Sequence, residues 1–583
     1  MKEKENLFDL VMLVNRLFMR QFKLYALVLI GMIMFACDSG DSETDSQSDQ
    51  KIVLQLQNLD GRVHTDNAGV VETKGIAEMP ENFYSVQMNV AKSATIESDV
   101  ASDLPLTLIA EVDAPEYEGL TLQATHVCFN GNYAYVSYNV KGATYLGAVD
   151  VIDITDPALP QLAMQAVFPS MDISSLTIKN GVLYLAGARD VDAYEDVTNP
   201  AVLVKMNLDG DMLSDDITFL ELSSFVGTDV VAGESYFYCV SGSTGALTAF
   251  SYTDDAVAAT VETNDLRAVG VDGENLVTLS GADGIHVYDI NATAEKLNFS
   301  VSDDVEEAKR TIDFYDGYVL VAEGYDGMGV YSVTDGSQKI NIPVASVTDE
   351  DISLDDVVCN AVTASDDHIF MAEGAAGVVV YSLVDNGLDS PEEIGGLNLE
   401  GSANYVRGGG DYIFVADGTG GLKILKIVTT SASDEDTSSD YACDTYPAYS
   451  GSSWLNVNSN DDQAYSGSAS LGGINISAQL IWCGSLAVSQ HVNVNSQGEF
   501  VLIGSLATGQ KANGNASSGS SLIVNSKMIV DGSLVVYGDL IVNSGGSLEF
   551  VGSSSSIAVY GDVTVNNSGE IIGDFTDETG NVK

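Results

Sequence analysis

The sequence predicts an all-β protein, a seven-bladed β-propeller followed by a smaller right-handed parallel β-solenoid. Two repeats and one change of composition predict it. Between residues 104 and 428 a Gly or Asp turn, an apolar strand, a Gly-containing loop and a second apolar strand recur seven times. Asp316–Gly324 running into Gly329–Val333, and Asp411–Gly418 running into Leu422–Leu425, show the unit most clearly. A strand-built repeat of this length reads as a propeller. Beyond a polar linker at 429–445, Gly, Ser, Asn and Val take over and a second repeat fills 446–583.

In chain order, residues 1–36 read as a signal peptide. Leu24–Phe35 is an apolar run of 12 residues, too short to span a bilayer. Arg20 and Lys23 precede it, and Ala36-Cys37 closes it, the charged, apolar and small-residue sequence of a cleaved signal. The ending Met34-Phe35-Ala36-Cys37 resembles a bacterial lipoprotein signal, which implies that Cys37 is lipidated and anchors the chain in a membrane. Residues 37–50 are acidic and polar, a flexible tether with nothing to bury. This tract resembles the export tags of surface lipoproteins in Bacteroidetes-type bacteria, which implies an outer-membrane anchor facing the cell exterior. Asp38 directly after the Cys also resembles the inner-membrane retention signal of enteric bacteria. Residues 51–103 hold strand-like runs, Lys51–Leu56 and Phe83–Val90, and read as a small β segment or a stalk.

Seven second strands run from Tyr133–Ser137 to Tyr412–Ala416, and seven third strands from Ala148–Ile154 to Leu422–Val428. Their Tyr, Val, Ile and Phe suit a pleated, half-buried surface. Outer strands follow the first six copies, but the seventh runs from Val428 straight into the linker. Leu106–Val112 precedes the first copy with no blade of its own. Pairing it onto the seventh blade joins the ends of the ring and hides an open edge. Ala148-Val-Asp-Val-Ile-Asp-Ile-Thr-Asp-Pro-Ala-Leu-Pro160, with Gly131–Val136 before it, resembles the LVIVD repeat family. That resemblance implies a propeller at a bacterial surface and assigns no activity.

In the second repeat a short apolar strand ends in Asn at Asn458, Asn495, Asn525, Asn543 and Asn566, spaced by 37, 30, 18 and 23 residues. This fits solenoid coils near 18–23 residues with some coils unmarked. Asn tolerates left-handed corners, and stacked Asn side chains bond to one another. Val536-Tyr-Gly-Asp539 and Val559-Tyr-Gly-Asp562 repeat at 23. The rival reading is an antiparallel sandwich.

With 84 acidic and 24 basic residues, the formal charge is −60. Such a field repels phosphate backbones, so nucleic acid is excluded as a partner. It suits solubility alone, or a calcium-containing exterior. No hydrolase elbow, phosphate loop or metalloprotease motif is present, and the five His are scattered. His126, on an innermost strand, reads either as a channel-facing ligand group or as a structural histidine. Arg267 and Arg310, also assigned inward, mark either an anion-binding channel mouth or a stitch between blades. Glu323, Glu373 and Asp417 hold equivalent turns and are either separate calcium sites at the rim or turn-forming acids. The acid run Asp349–Asp351 with Asp355-Asp356 is a second weak calcium candidate. Cys443 and Cys483 are a candidate disulfide in an oxidising envelope. Trp454 and Trp482 are candidate sugar-stacking residues.

Together these point to a non-catalytic scaffold that binds extracellular polysaccharide or a surface protein. The alternatives are a propeller hydrolase or lyase acting on polysaccharide, or a surface polymer built through the solenoid. Cys37→Ala is expected to move the protein from the membrane to the soluble fraction and to abolish incorporation of labelled fatty acid.

Overall fold

The computed structural model describes residues 52–56, 59–71, 101–194, 197–305, 308–345, 352–365, 367–384, 387–397, 399, 401–429, 441–510 and 521–583. The expected signal peptide, the acidic tether, the Phe83–Val90 run and Asp349–Asp351 lie outside these residues.

Seven antiparallel sheets form the propeller. Blade 1 is Gln123–Asn130, Tyr133–Asn139, Gly147–Asp153 and Gln161–Phe168, paired in chain order. Blades 2 to 6 repeat this order from Met171–Lys179 to Glu392–Leu397. The middle strands are buried along nearly their whole length, as in Gly147–Asp153 and Met328–Ser332. Each sheet is covered on both faces by its neighbours, so its strands are apolar on both sides rather than alternating.

Blade 7 has three strands of its own, Tyr405–Gly409, Tyr412–Ala416 and Leu422–Ile427. Its fourth is Leu106–Val112, antiparallel to Leu422–Ile427 with Val112 opposite Leu422 and Leu106 opposite Ile427. The ring is thus closed by a strand from before blade 1, as the spare strand in the sequence predicts. At the opposite edge, Ala124 N–H donates to the Gly418 carbonyl at 2.8 Å, tying blade 7 to blade 1. The same link recurs as Cys359 to Gly324 and Ala403 to Gly374. Each of these glycines opens a tight turn at positive φ, 55° for Gly418 and 62° for Gly324, a conformation that costs glycine little.

The described residues 52–56 and 59–71 pair with the propeller. Val53–Gln55 adds a fifth strand to blade 1 beside Ala166 and Val167. Val63–His64 and Gly69–Val70 both pair with Leu106–Val112. Just ahead of Val63, Arg62 reaches the third strand of blade 1 and forks onto Asp150, at 2.5 and 3.2 Å, while also donating to the Asp113 carbonyl at 2.6 Å. Asp150 is fully buried and has Gln165 as its second donor. The outer edges of blades 1 and 7 would be open without this segment, and a buried carboxylate requires a partner.

The C-terminal domain is a parallel solenoid of six coils with three strand faces, all strand pairs being parallel. This excludes the sandwich. Glu499–Thr508 and Lys527–Val536 stay in register over ten residues, and Leu480, Phe500, Met528 and Leu548 stack inside. The Asn residues work as a ladder, Asn566 donating to Asn543 at 2.9 Å, Asn543 to Asn525 at 2.7 Å and Asn495 to Ser477 at 2.9 Å. Ser477 marks the coil hidden in the 37-residue interval, and the 30-residue interval is a single coil, Val492–Val494 pairing with Leu522–Val524. None of the five repeat Asn has a left-handed backbone; side-chain hydrogen bonds explain Asn495, Asn525, Asn543 and Asn566. The tight corner belongs to Gly484, Gly504 and Gly532, at φ 141°, 133° and 136°. A Cβ on any of these would meet the carbonyl oxygen of the glycine below at 2.2 Å or less.

Propeller and solenoid touch through the same N-terminal segment. Val70 N–H donates to the Gly509 carbonyl at 2.9 Å, and Ser102 pairs with Ser470. Ala68 and Val70 pack on Ala487, Ala507 and Tyr537. Cys443 and Cys483 are bonded, S–S 2.05 Å, holding Tyr441, Cys443 and Tyr446 over Ile481, Val501 and Ile503.

Arg62→Ala leaves Asp150 buried without its cation, an expected loss of about 3–5 kcal/mol in denaturant unfolding. Arg62→Met with Asp150→Asn is expected to recover most of it.

Candidate functional site at the propeller axis

The innermost strands each turn one unpaired edge toward the axis, and those backbone groups need partners. Side chains from other blades supply them. Lys309, just ahead of the inner strand of blade 5, crosses the axis and donates to the Thr125 carbonyl of blade 1 at 2.6 Å and the Ser174 carbonyl of blade 2 at 2.9 Å. Its ammonium lies 5.2 Å from the ring centroid of Tyr405 in blade 7, and His126 stacks on the same ring at 3.8 Å. Asp229 in blade 3 accepts from Ser175 Oγ at 2.6 Å, Val230 N at 2.9 Å and Val269 N of blade 4 at 3.0 Å. Asp313 in blade 5 accepts from Phe314 N and from Ala364 N of blade 6, both at 2.9 Å. Arg407 lies 5.8 Å from the ring of Phe129.

Burial sets the charges here. It pushes the Lys309 ammonium down to about 7, against the pull of Asp229. His126 is driven well below the usual histidine range by burial, then by Lys309 and Arg407, so its imidazole is neutral. The carboxyls of Asp229 and Asp313 are raised by burial in spite of their hydrogen bonds. This arrangement can hold seven strand edges together; its acids and its lysine are already occupied with backbone.

His126 is therefore at the axis. Arg267 and Arg310 meet elsewhere, on the carboxylate of Asp304 at 2.6 and 3.1 Å. Arg310, fully buried, also donates to the Ala322 carbonyl at 3.1 Å. They stitch blade 4 to the connection before blade 5, and the axial cations are Lys309 and Arg407. Lys309 adjoins Arg310 in sequence, and neighbouring residues point apart, so choosing Arg310 missed its neighbour. A sequence signal existed, since the chain has only 24 basic residues and a lysine opening an inner strand stands out.

Glu323, Glu373 and Asp417 are buried in separate blades, each opening an acid-Gly-x-x-Gly turn. Glu323 accepts from Tyr331 Oη at 2.7 Å and Asn341 Nδ2 at 3.2 Å. Glu373 Oε2 accepts from Ala345 N at 2.8 Å. Burial pushes the Glu373 carboxyl up to about 8 and that of Glu393, beside Tyr381, up to about 7. Among the described residues, no three His, Cys, Asp or Glu side chains converge as a metal site. Trp482 is buried in the solenoid core against Tyr449 and Tyr465, whereas Trp454 is on the flank.

No protein-family model matches the chain, and no curated protein matches it, so the LVIVD resemblance stands on its quoted residues alone. Solved structures are similar over part of the chain. U3-55K is 9% identical, covering 55% of this chain and 98% of its own, at a TM-score of 0.41. The WD40 repeats of RRP9 are 10% identical over 55% and 97%, at 0.40. BamB from Moraxella catarrhalis is 10% identical over 63% and 98%, at 0.36. The assignment of the fold rests on the strand pairing, which defines the class as a β-propeller joined to a β-solenoid.

The raised Glu373 carboxyl carries a pH prediction. Its contribution is fully favourable below the unfolded value of 4.5 and is lost as pH rises through about 8. Glu373→Gln is expected to match the parent at pH 4 and to exceed it by a few kcal/mol (on the order of 3) at pH 9, read by thermal or urea unfolding at both values.

Proposed function

We propose that this chain is a non-catalytic, lipid-anchored protein of a bacterial cell surface, with its propeller and solenoid serving as a binding scaffold for extracellular polysaccharide or a surface protein. The observation that carries the non-catalytic part is the use made of the axial acids. Both oxygens of Asp229 and both of Asp313 accept hydrogen bonds that hold inner strands in place. A hydrolase or lyase working at the axis needs a carboxylate able to exchange a proton with substrate. Anchoring through Cys37 and the acidic tether support placement at the outer membrane, and the Cys443–Cys483 bond suits an oxidising compartment. The charge of −60 disfavours nucleic acid as a partner. Calcium at single-blade acids such as Glu323 stays within the proposal as an accessory ion.

A glycan array and a whole-cell pull-down with the full chain test the reading. Retention of a cell-wall or matrix polymer, or of one surface protein, is the expected result. Empty outcomes in both contradict it. So do new reducing ends or unsaturated products released from a polysaccharide by the parent and not by Asp229→Asn.

A further inference from the structure

One flank of the solenoid carries an aromatic platform and an amide row that nothing in the packing of the core requires. In Trp454–Val457, Leu455 and Val457 point into the core, while Trp454 and Asn456 point outward. The next coil aligns Gly473 with Trp454 and Asn475 with Asn456, and the third aligns His491 and Asn493 behind them. Two outward columns result, one of Trp, Gly and His and one of three Asn, with coils about 4.8 Å apart.

The first column is shaped around the indole. A Cβ on Gly473 would fall 2.3 Å from the Trp454 ring, so the glycine lets the ring lie against the backbone of the second coil. His491 meets it edge-on at 5.3 Å from the third. Trp454 is thereby fixed in orientation while staying partly exposed. In the second column Asn475 Nδ2 donates to Asn456 Oδ1 at 3.0 Å. An amide has two donor hydrogens and an acceptor oxygen with two lone pairs, so this single bond orients the pair and leaves donors and acceptors on the exposed side. Neither column contains a charged side chain, in a protein of net charge −60.

We propose that this flank is a binding site for a neutral linear polysaccharide lying along the solenoid axis. The C–H face of one sugar ring packs on Trp454, and hydroxyls of the following sugars bond to Asn456 and Asn475; Asn493, which donates to Asn495 Oδ1 and accepts from Asn525 Nδ2, both at 3.1 Å, adds only its remaining N–H and lone pair at the end of the row. Hydroxyls both donate and accept, which matches the amides. A polyuronate is disfavoured because the amide row supplies no cation and the surrounding field is negative. This site rests on the polysaccharide reading above and narrows it to one face and one charge class.

Native affinity electrophoresis of the full chain in gels containing a soluble neutral β-glucan, or alginate as the anionic probe, tests the proposal. The neutral glucan is expected to retard the parent and alginate to leave it unaffected. Trp454→Ala is expected to lose at least tenfold in apparent affinity, Asn475→Ala severalfold, and Trp454→Tyr to restore part of the loss, with unchanged melting temperatures. Tyr560→Ala, on another part of the solenoid, is expected to bind like the parent. Retardation that Trp454→Ala leaves intact overturns this site while the polysaccharide reading stands. Retardation by alginate alone overturns the charge class. Absence of retardation by either polymer overturns the site, and empty results from the array and pull-down as well overturn the reading beneath it.

Discussion

The ring is held shut by a strand of seven residues that belongs to no repeat. Leu106–Val112 completes blade 7, and the described residues 59–71 ahead of it pack along it. Val63–His64 and Gly69–Val70 cover its far edge, and Arg62 spans from the end of that strand to Asp150 in blade 1. The Arg62–Asp150 pair therefore joins the two blades that flank the seam. A buried pair of this kind adds little net stability over apolar packing but is costly to break.

Closure has a consequence at the axis. Seven inner strands arranged around a line leave seven unpaired edges facing one another, and the cross-axis bonds of Lys309, Asp229 and Asp313 satisfy part of them. Such groups are costly when left unmade. The same side chains that resemble catalytic machinery, a lysine of lowered basicity, a neutral histidine and two carboxyls of raised pKa, owe their shifts first to burial, with Lys309 and Arg407 adding to that of His126. Burial beside a charged partner shifts structural and reactive groups alike, so the shift by itself does not mark chemistry. The solenoid contrasts with this. Its polar row of Asn456, Asn475 and Asn493 is on the outside, where hydrogen bonds to a partner cost no core.

Architecture was legible because both repeats are strand-periodic. The spare Leu106–Val112 announced the seam, and the Asn spacing announced the coils. Two features were not legible, each for a physical reason. Val63–His64 and Gly69–Val70 are too short to carry a periodic signal, and only the exposed edge they cover calls for them. Asp150 sits in an apolar strand, Ala148-Val-Asp-Val-Ile, with its cation 88 residues away in Arg62; the buried acid is visible in sequence, its partner is not. The equivalence of Glu323, Glu373 and Asp417 was visible, and their burial in separate blades follows from the repeat itself. Gly484, Gly504 and Gly532, each before Ser and Leu, were a readable corner signature beside the Asn pattern.

Native-state hydrogen exchange resolved by residue tests the role of the seam most directly. If closure by Leu106–Val112 holds the ring together, its amides and those of Leu422–Ile427 open with the same free energy as the buried middle strands of blades 3 to 5, because one opening releases all of them. Exchange at the seam several kcal/mol (roughly 3 or more) below those blades, with the blades still protected, would show that the propeller stands without its borrowed strand.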